Sequence, residues 1–400
     1  MRILIVAMAE SIHTARWISQ IGDQGWDIHL FPSIDNGVVH QSLRNVTVHH
    51  SLYVWPHGYE RSVKARGVPV FMNAMAYQGK KLLQKLLPEY RTIQLKRAIE
   101  KTNPDIVHSL EIQHSGYLTL EAKKHLRVGR WPPWMVTNWG SDIYLFGRLS
   151  EHKSKIREVL SACDYYSCEC HRDVGLAKAH GLRGKVLPVF PNTGGFDLKL
   201  ASSLRQPGPV SGRRYIMLKG YQGWAGRALV GLRALERCAD LLKGYNVVIY
   251  SGSPDVLIAA ELFQKSTHIP VTVFPKEAPH KDILSMHGQA RISIGLSISD
   301  AISTSLLEAL VMGSFPIQSW TACADEWIQD GKTGILVPPE DPEIVEQAIR
   351  RALTDDELVI RAAERNYRVA AQRLDQAFLN SKVVEIYNTV ARNKGVYNEV

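Results

Sequence analysis

The chain has 400 residues, 45% of them hydrophobic and 22% charged, with 48 Lys and Arg against 39 Asp and Glu and a formal charge of +9. That length suits two domains, each with its own core, and no apolar run reaches the roughly 18–20 residues of a membrane span. The basic balance points to an anionic partner. Without zinc-finger spacing or an aromatic RNA-binding signature, nucleic acid is the least expected one.

Residues 2–8 form an apolar run that leads into a helix bearing His13 and Arg16 rather than into a cleavage site. We read the run as a first buried strand, not a signal peptide, and expect a cytoplasmic protein. Ser11 to Gln24 has helical spacing, Gly25 ends it, and Trp26–Phe31 resumes as a strand. Lys80–Arg97 is basic and amphipathic. It suits either a peripheral contact with anionic lipid headgroups or a surface helix pair broken at Pro88 that packs its leucines inward. Ile106–Leu110, Trp134–Thr137 and Tyr165–Cys168 are further strands, each followed by a helical stretch. The chain has five cysteines, an odd number, and no secretory context, so disulfides are not expected. Cys163, Cys168 and Cys170 beside His171 lack paired C-x-x-C spacing and read as structural.

Pro188–Gly195 and Leu204–Gly212 are rich in Pro, Gly and Ser and look like a connection between domains, so 196–212 reads as a linker between a domain at 1–195 and one at 213–375. The second domain repeats the alternation. Strands are expected at Tyr215–Leu218, Asn246–Tyr250, Val271–Phe274, Ile292–Ile298 and Phe315–Gln318, with helices at Ala225–Leu242 and Ser303–Met312. The fold class is therefore α/β, two tandem doubly wound, Rossmann-like domains with crevices at the carboxyl ends of their strands.

The segment Ile292–Ile317 reads as strand, polar turn, helix, glycine stop, strand. Asp300 and Glu308 stand eight positions apart, with Ser303, Thr304 and Ser305 between them at the helix start. Unpaired N–H groups there suit a phosphate, and carboxylates suit sugar hydroxyls. Ser305-Leu-Leu-Glu308 also fits a capping box, in which Glu308 would only close the helix start. Lys219, Gly220 and Arg227 lie in a glycine-rich loop after the first strand of this domain and could meet an anion at close range.

The order Asp300-x7-Glu308, Met312-Gly313, Phe315-Pro316-Ile317 and Glu326–Pro338 resembles the E-x7-E segment of family-4 retaining glycosyltransferases over roughly residues 213–375. The amino half matches in layout. The resemblance implies the GT-B fold, two Rossmann-like domains facing across a cleft, with residues 376–400 forming a last helix that crosses back to the first domain. It implies that Glu308 contacts the ribose of a nucleotide and that Asp300, one carbon shorter than the usual glutamate, contacts the donor sugar. Ser303, Thr304 and Ser305 would meet the diphosphate, with Lys219 and Arg227 as its cations, and Lys276 and Glu277 would lie near the base. Trp139 stands where relatives carry a histidine. Glu10, His13, Asn138, Asp142 and Arg172 remain as acceptor-side or cleft candidates. The implied activity is retaining transfer of a hexose or N-acetylhexosamine from a nucleoside-diphosphate sugar, UDP by default, to a glycan or lipid-linked acceptor, with no cofactor and no metal. The alternatives are a sugar-nucleotide 2-epimerase of the same fold, or a non-catalytic, transferase-like subunit of a membrane glycan complex.

Overall fold

The computed structural model describes residues 1–55, 59–69, 78–79, 82–83, 85–125, 131–275 and 278–393. They form two compact units, Met1–Gly194 with Asn380–Val400, and Gly195–Leu379. In the first unit the elements are β1 (Arg2–Ala7), α1 (Ile12–Ser19), β2 (Asp27–Pro32), β3 (Val46–Val54), β4 (Val63–Pro69), α2 (Tyr90–Thr102), β5 (Ile106–Leu110), α3 (Tyr117–His125), β6 (Trp134–Thr137), α4 (Ser150–Ala162), β7 (Tyr165–Ser167), α5 (His171–Ala179) and β8 (Lys185–Val186). The strands build one parallel sheet in the order β4-β3-β2-β1-β5-β6-β7-β8. Helices cover both faces, so the central strands are buried on both sides, and Ile3–Ala7 of β1 reads as a continuous apolar run. Leu4, Val6, Val107, Trp134 and Tyr166 belong to this core.

Strands β3 and β4 were not expected from the sequence. In β3, His49, His50 and Ser51 are buried, and they break the apolar pattern a buried strand normally shows. They are satisfied instead by buried partners: His49 Nε2 lies 2.9 Å from His29 Nδ1, His50 Nδ1 lies 2.7 Å from Asp35 Oδ1, and Ser51 Oγ donates to Asp35 Oδ2 at 2.7 Å.

The second unit holds α6 (Leu198–Leu204), β9 (Tyr215–Lys219), α7 (Ala228–Arg237), β10 (Asn246–Tyr250), α8 (Pro254–Thr267), β11 (Val271–Val273), α9 (His280–Gln289), β12 (Ala290–Gly295), α10 (Thr304–Met312), β13 (Phe315–Ser319), β14 (Ile335–Val337), α11 (Pro342–Thr354) and α12 (Asp356–Arg373). Its parallel sheet runs β11-β10-β9-β12-β13-β14. The stretch expected as a linker, 196–212, instead carries α6 and buries Phe196, Ala201 and Val210 against this unit. A last helix, α13 (Gln376–Arg392), follows, and from Asn380 onward it belongs to the first unit. There Tyr387 is wholly buried and its hydroxyl accepts a bond from Trp17 Nε1 at 2.8 Å.

All five cysteines are buried free thiols. Leu82, Leu86 and Leu87 are exposed rather than packed inward, while Lys80, Lys81 and Gln84 of the same amphipathic segment lie outside the described residues. Among the described residues, no helix is long and apolar enough to cross a membrane.

Candidate functional site

In each sheet the chain leaves its first strand toward one edge and later returns to the other side of it, which opens a crevice at the carboxyl ends of the neighbouring strands. In the second unit these neighbours are β9, β10 and β12. Helix α10 begins at the crevice. Eight of its nine residues are buried, and Gly313 ends it at φ 77°, where a Cβ would also collide with the Tyr367 ring. The carbonyls of its last turn are taken by Arg205, which donates to Val311 O, and by Arg213, which donates to Met312 O at 3.1 Å. Cations at this end complement the helix dipole.

At the other end Ser303 is the residue before the helix, yet its side chain does not cap it. Its hydroxyl instead accepts from Lys219 Nζ at 3.2 Å and lies 2.7 Å from Ser305 Oγ. Thr304 follows as the first helical residue. The capping-box alternative fails here: Ser303 precedes the helix, so the capping-box acid position is Leu306, and Glu308 lies beyond it. The Glu308 carboxylate faces α9 instead. Oε1 lies 2.7 Å from His280 Nε2, and Oε2 lies 3.4 Å from His287 Nε2. Burial would raise the pKa of this carboxyl, but the two histidines outweigh it and hold the group well below the usual carboxylate range. Glu308 thus stays ionised inside the unit. Burial, and next the Glu308 charge, push neighbouring Tyr250 well above the usual phenol value.

Asp300 Oδ1 accepts from the backbone N–H of Ala301 at 2.9 Å. Its charge reaches Tyr221, whose phenol is raised first by burial and then by Asp300, so the acid and the glycine loop are neighbours. Backbone bonds fix this approach, from Ile298 N to Ala225 O at 2.8 Å and from Arg227 N to Leu296 O at 3.0 Å. Gly220 has a fold reason of its own, because a Cβ there would meet Ile249 Cγ2 at 2.7 Å and Gly252 Cα at 2.8 Å. Arg227 is turned aside: its Nε donates to Glu340 Oε1 at 2.7 Å and its Nη1 to the carbonyls of Gly223 and Gly226. The structure therefore brings Lys219, Ser303, Ser305, Asp300 and Glu308 to one strand-end region and engages Arg227 elsewhere. Lys276 and Glu277 lie outside the described residues. His280 and His287 were not singled out from the sequence. Their spacing of seven on one helix, which repeats a helix face, was the available signal.

In the first unit the matching crevice lies at the ends of β1, β2 and β5, and the candidates follow β1, β6 and β7. Glu10 is exposed, and the His13 ring tilts against Trp139 at 5.4 Å between centroids. Asn138 is buried. Its Nδ2 donates to Asp173 Oδ2 at 2.7 Å, and its Oδ1 finds no donor among the described residues. Arg172 pairs with Asp173 Oδ1 at 2.8 Å and lies over the Tyr144 ring. Asp142 Oδ2 accepts from Ile112 N at 3.0 Å and Trp139 N at 3.1 Å, which ties the loops after β5 and β6 together. Burial, then the neighbouring Glu111 carboxylate, push Asp142 up to about 7 against those two bonds. Glu111 is a further acid the sequence reading passed over. It stands at φ 75°, ψ 156°, a backbone conformation strained for any residue but glycine, immediately after β5. Its carboxylate accepts from His114 N at 2.7 Å and from Ser115 N.

Comparison with known proteins agrees with this architecture. Residues 2–164 match the family model described as glycosyl transferase 4-like, and residues 232–369 match glycosyl transferases group 1. No curated protein matches the sequence. Among solved structures, sucrose-phosphate synthase from Thermosynechococcus elongatus superposes with a TM-score of 0.69 at 14% identity, covering 98% of this chain and 99% of that one. The Anabaena HepE protein in complex with UDP-glucose gives 0.67 at 14% identity, covering 97% and 100%. A glycosyltransferase from Rickettsia africae gives 0.63 at 17% identity, covering 98% and 99%. These likenesses establish the GT-B fold, and with the two family matches the chain belongs to the family-4-like, group 1 glycosyltransferases.

Proposed function

We propose that this glycosyltransferase moves a hexose or N-acetylhexosamine, with retention and without a metal, from a nucleoside-diphosphate sugar to a glycan or lipid-linked acceptor. UDP is the favoured nucleotide, supported by the structural neighbour solved with UDP-glucose. The observation that carries the reading is Glu308, a buried carboxylate held ionised about one turn into a helix whose uncapped start bears Ser303 and Ser305 and is met by Lys219 from the end of β9. An ionised acceptor suits the paired hydroxyls of a ribose, and the helix start with its cation suits a diphosphate.

In the reaction the bond between the sugar's anomeric carbon and the β-phosphate oxygen breaks. A bond from that carbon to the acceptor hydroxyl oxygen forms on the same face. The acceptor's proton passes to the departing phosphate, and the nucleoside diphosphate leaves. The protein's task is to align the partners and stabilise charge on the leaving group. Lys219 and the first turn of α10 would supply that stabilisation, and Arg227 would join them by exchanging Glu340 for phosphate. Asp300 would orient the sugar through its hydroxyls. A lipid-linked acceptor at an anionic membrane surface is favoured by the exposed Leu82, Leu86 and Leu87 amid a lysine-rich sequence.

The test is a turnover screen of UDP-, GDP- and ADP-sugars with no acceptor, with and without a chelator, on the full chain and on Lys219→Ala. Chelator-resistant hydrolysis of one donor, lost in the variant, is expected. Binding of a nucleotide without turnover of any donor would instead favour the non-catalytic subunit.

A further inference from the structure

Glu308 faces two histidines in different circumstances. The His280 side chain is 43% exposed and sits 2.7 Å from Oε1. Its ring stacks toward Phe196 at 6.3 Å between centroids. His287 is fully buried, 3.4 Å from Oε2, and its Nε2 has no aligned hydrogen bond. Behind it, His287 Nδ1 lies 2.8 Å from Ser293 Oγ, which lies 2.6 Å from Ser314 Oγ. The Tyr250 ring packs edge-on against it at 5.4 Å.

One proton arrangement satisfies this chain with a neutral ring. The carboxylate can only accept, so the His287 proton sits on Nε2. Nδ1 then accepts from Ser293, and Ser293 accepts from Ser314. The result is a rigidly backed donor aimed at Oε2 but held slightly beyond good bonding distance. A buried donor left in that state is costly, and a small turn of the carboxylate would satisfy it.

We propose that His287, backed by Ser293 and Ser314, is the positioning residue that fixes Glu308 for the nucleotide's ribose, and that His280 is the partner the ribose displaces. The proposal rests on the reading that Glu308 holds the ribose. When the ribose hydroxyls take Oε1 from the accessible His280, the carboxylate turns toward His287 and closes its bond. Neither histidine touches the reacting atoms.

Calorimetry on the full chain with UDP, and with the dideoxy analogue that lacks both ribose hydroxyls, tests this. His287→Leu is expected to weaken UDP roughly ten- to a hundredfold, the loss that removing a hydrogen bond to a charged group carries. It should leave the dideoxy analogue unchanged. His287→Gln, which returns an N–H to the same reach, should recover UDP affinity to within a few fold. Ser293→Ala should lower it by a smaller factor in the same ribose-dependent way, and serves if the leucine variant does not fold. His280→Ala should hold UDP affinity level or raise it. Equal losses for UDP and its dideoxy analogue would reduce His287 to a packing residue and overturn the proposal, as would a His280→Ala loss as large as that of Glu308→Gln. If Glu308→Gln itself leaves UDP affinity intact, the ribose reading fails first. If it weakens UDP while His287→Leu does not, only the positioning role fails.

Discussion

Replacing Tyr387 with phenylalanine keeps the ring and removes one oxygen from the middle of a buried chain of hydrogen bonds. Trp17 Nε1 donates to Tyr387 Oη at 2.8 Å, Oη lies 2.7 Å from His108 Nδ1, and His108 Nε2 lies 2.7 Å from Thr137 Oγ1. Trp17 is 1% exposed and the other three are wholly buried. Burial drives His108 down to about 3, so at neutral pH its ring is neutral. The phenol hydrogen therefore goes to Nδ1, and Nε2–H donates to Thr137. Without Oη, the Trp17 N–H and the His108 Nδ1 lone pair are both left unpaired away from water. At about 1–3 kcal/mol for each of the two stranded groups, Tyr387→Phe should cost roughly 2–6 kcal/mol. For a unit of this size that corresponds to a fall of roughly 4–24 °C in melting temperature. Differential scanning calorimetry measures it, with circular dichroism confirming that the variant is folded. A loss below about 0.5 kcal/mol would refute the network, since a change of that size is what a substitution away from any such feature produces. The pH dependence follows from the same burial. The folded-state pKa of His108 is depressed from 6.5, so this contribution is intact above pH 6.5 and lost as pH falls toward 3, by up to about 1.4 kcal/mol per pH unit.

Asp142 should show the opposite sign. Its folded-state pKa is raised from 3.8 to about 7, so its share of stability is complete below pH 3.8 and is lost as pH rises through 7. Asp142→Asn keeps an oxygen for Ile112 and Trp139 and should melt higher than the wild type at pH 8, with the gap closing by pH 4; an unchanged gap would contradict the buried-acid account. Glu340→Gln should release Arg227 and tighten UDP binding by up to about fivefold, because an exposed ion pair costs no more than about 1 kcal/mol to break. Weaker binding would mean instead that Glu340 holds Arg227 in its working position. Leu86→Glu with Leu87→Glu should cut flotation on vesicles rich in anionic lipid while leaving UDP affinity unchanged, and undiminished flotation would remove this face from membrane contact.

The doubly wound plan was legible because parallel strands covered on both faces leave continuous apolar runs, as in Ile3–Ala7 of β1 and Val247–Tyr250 of β10. Strand β3 was hidden because His50 and Ser51 are satisfied by Asp35 and His49 by His29, partners no local pattern reveals. The anion-and-hydroxyl character of Asp300–Glu308 was readable from residue types around a strand-to-helix turn. The state of Glu308 was not, because it depends on His280 and His287, on a neighbouring helix 28 and 21 positions earlier in the chain. Arg227 is the converse case. Its glycine-rich surroundings suggested an anion ligand, but Glu340, 113 positions away, holds its guanidinium. Glu111 escaped notice because strain at φ 75° is a property of the fold and leaves no trace in residue type.

The central claim is that Glu308 holds the ribose of a nucleoside diphosphate. Titration calorimetry of UDP into the full chain and into Glu308→Gln tests it most directly. The account predicts binding to the wild type and at least a tenfold loss in the variant, about 1.4 kcal/mol or more. Equal affinity in both proteins would contradict it.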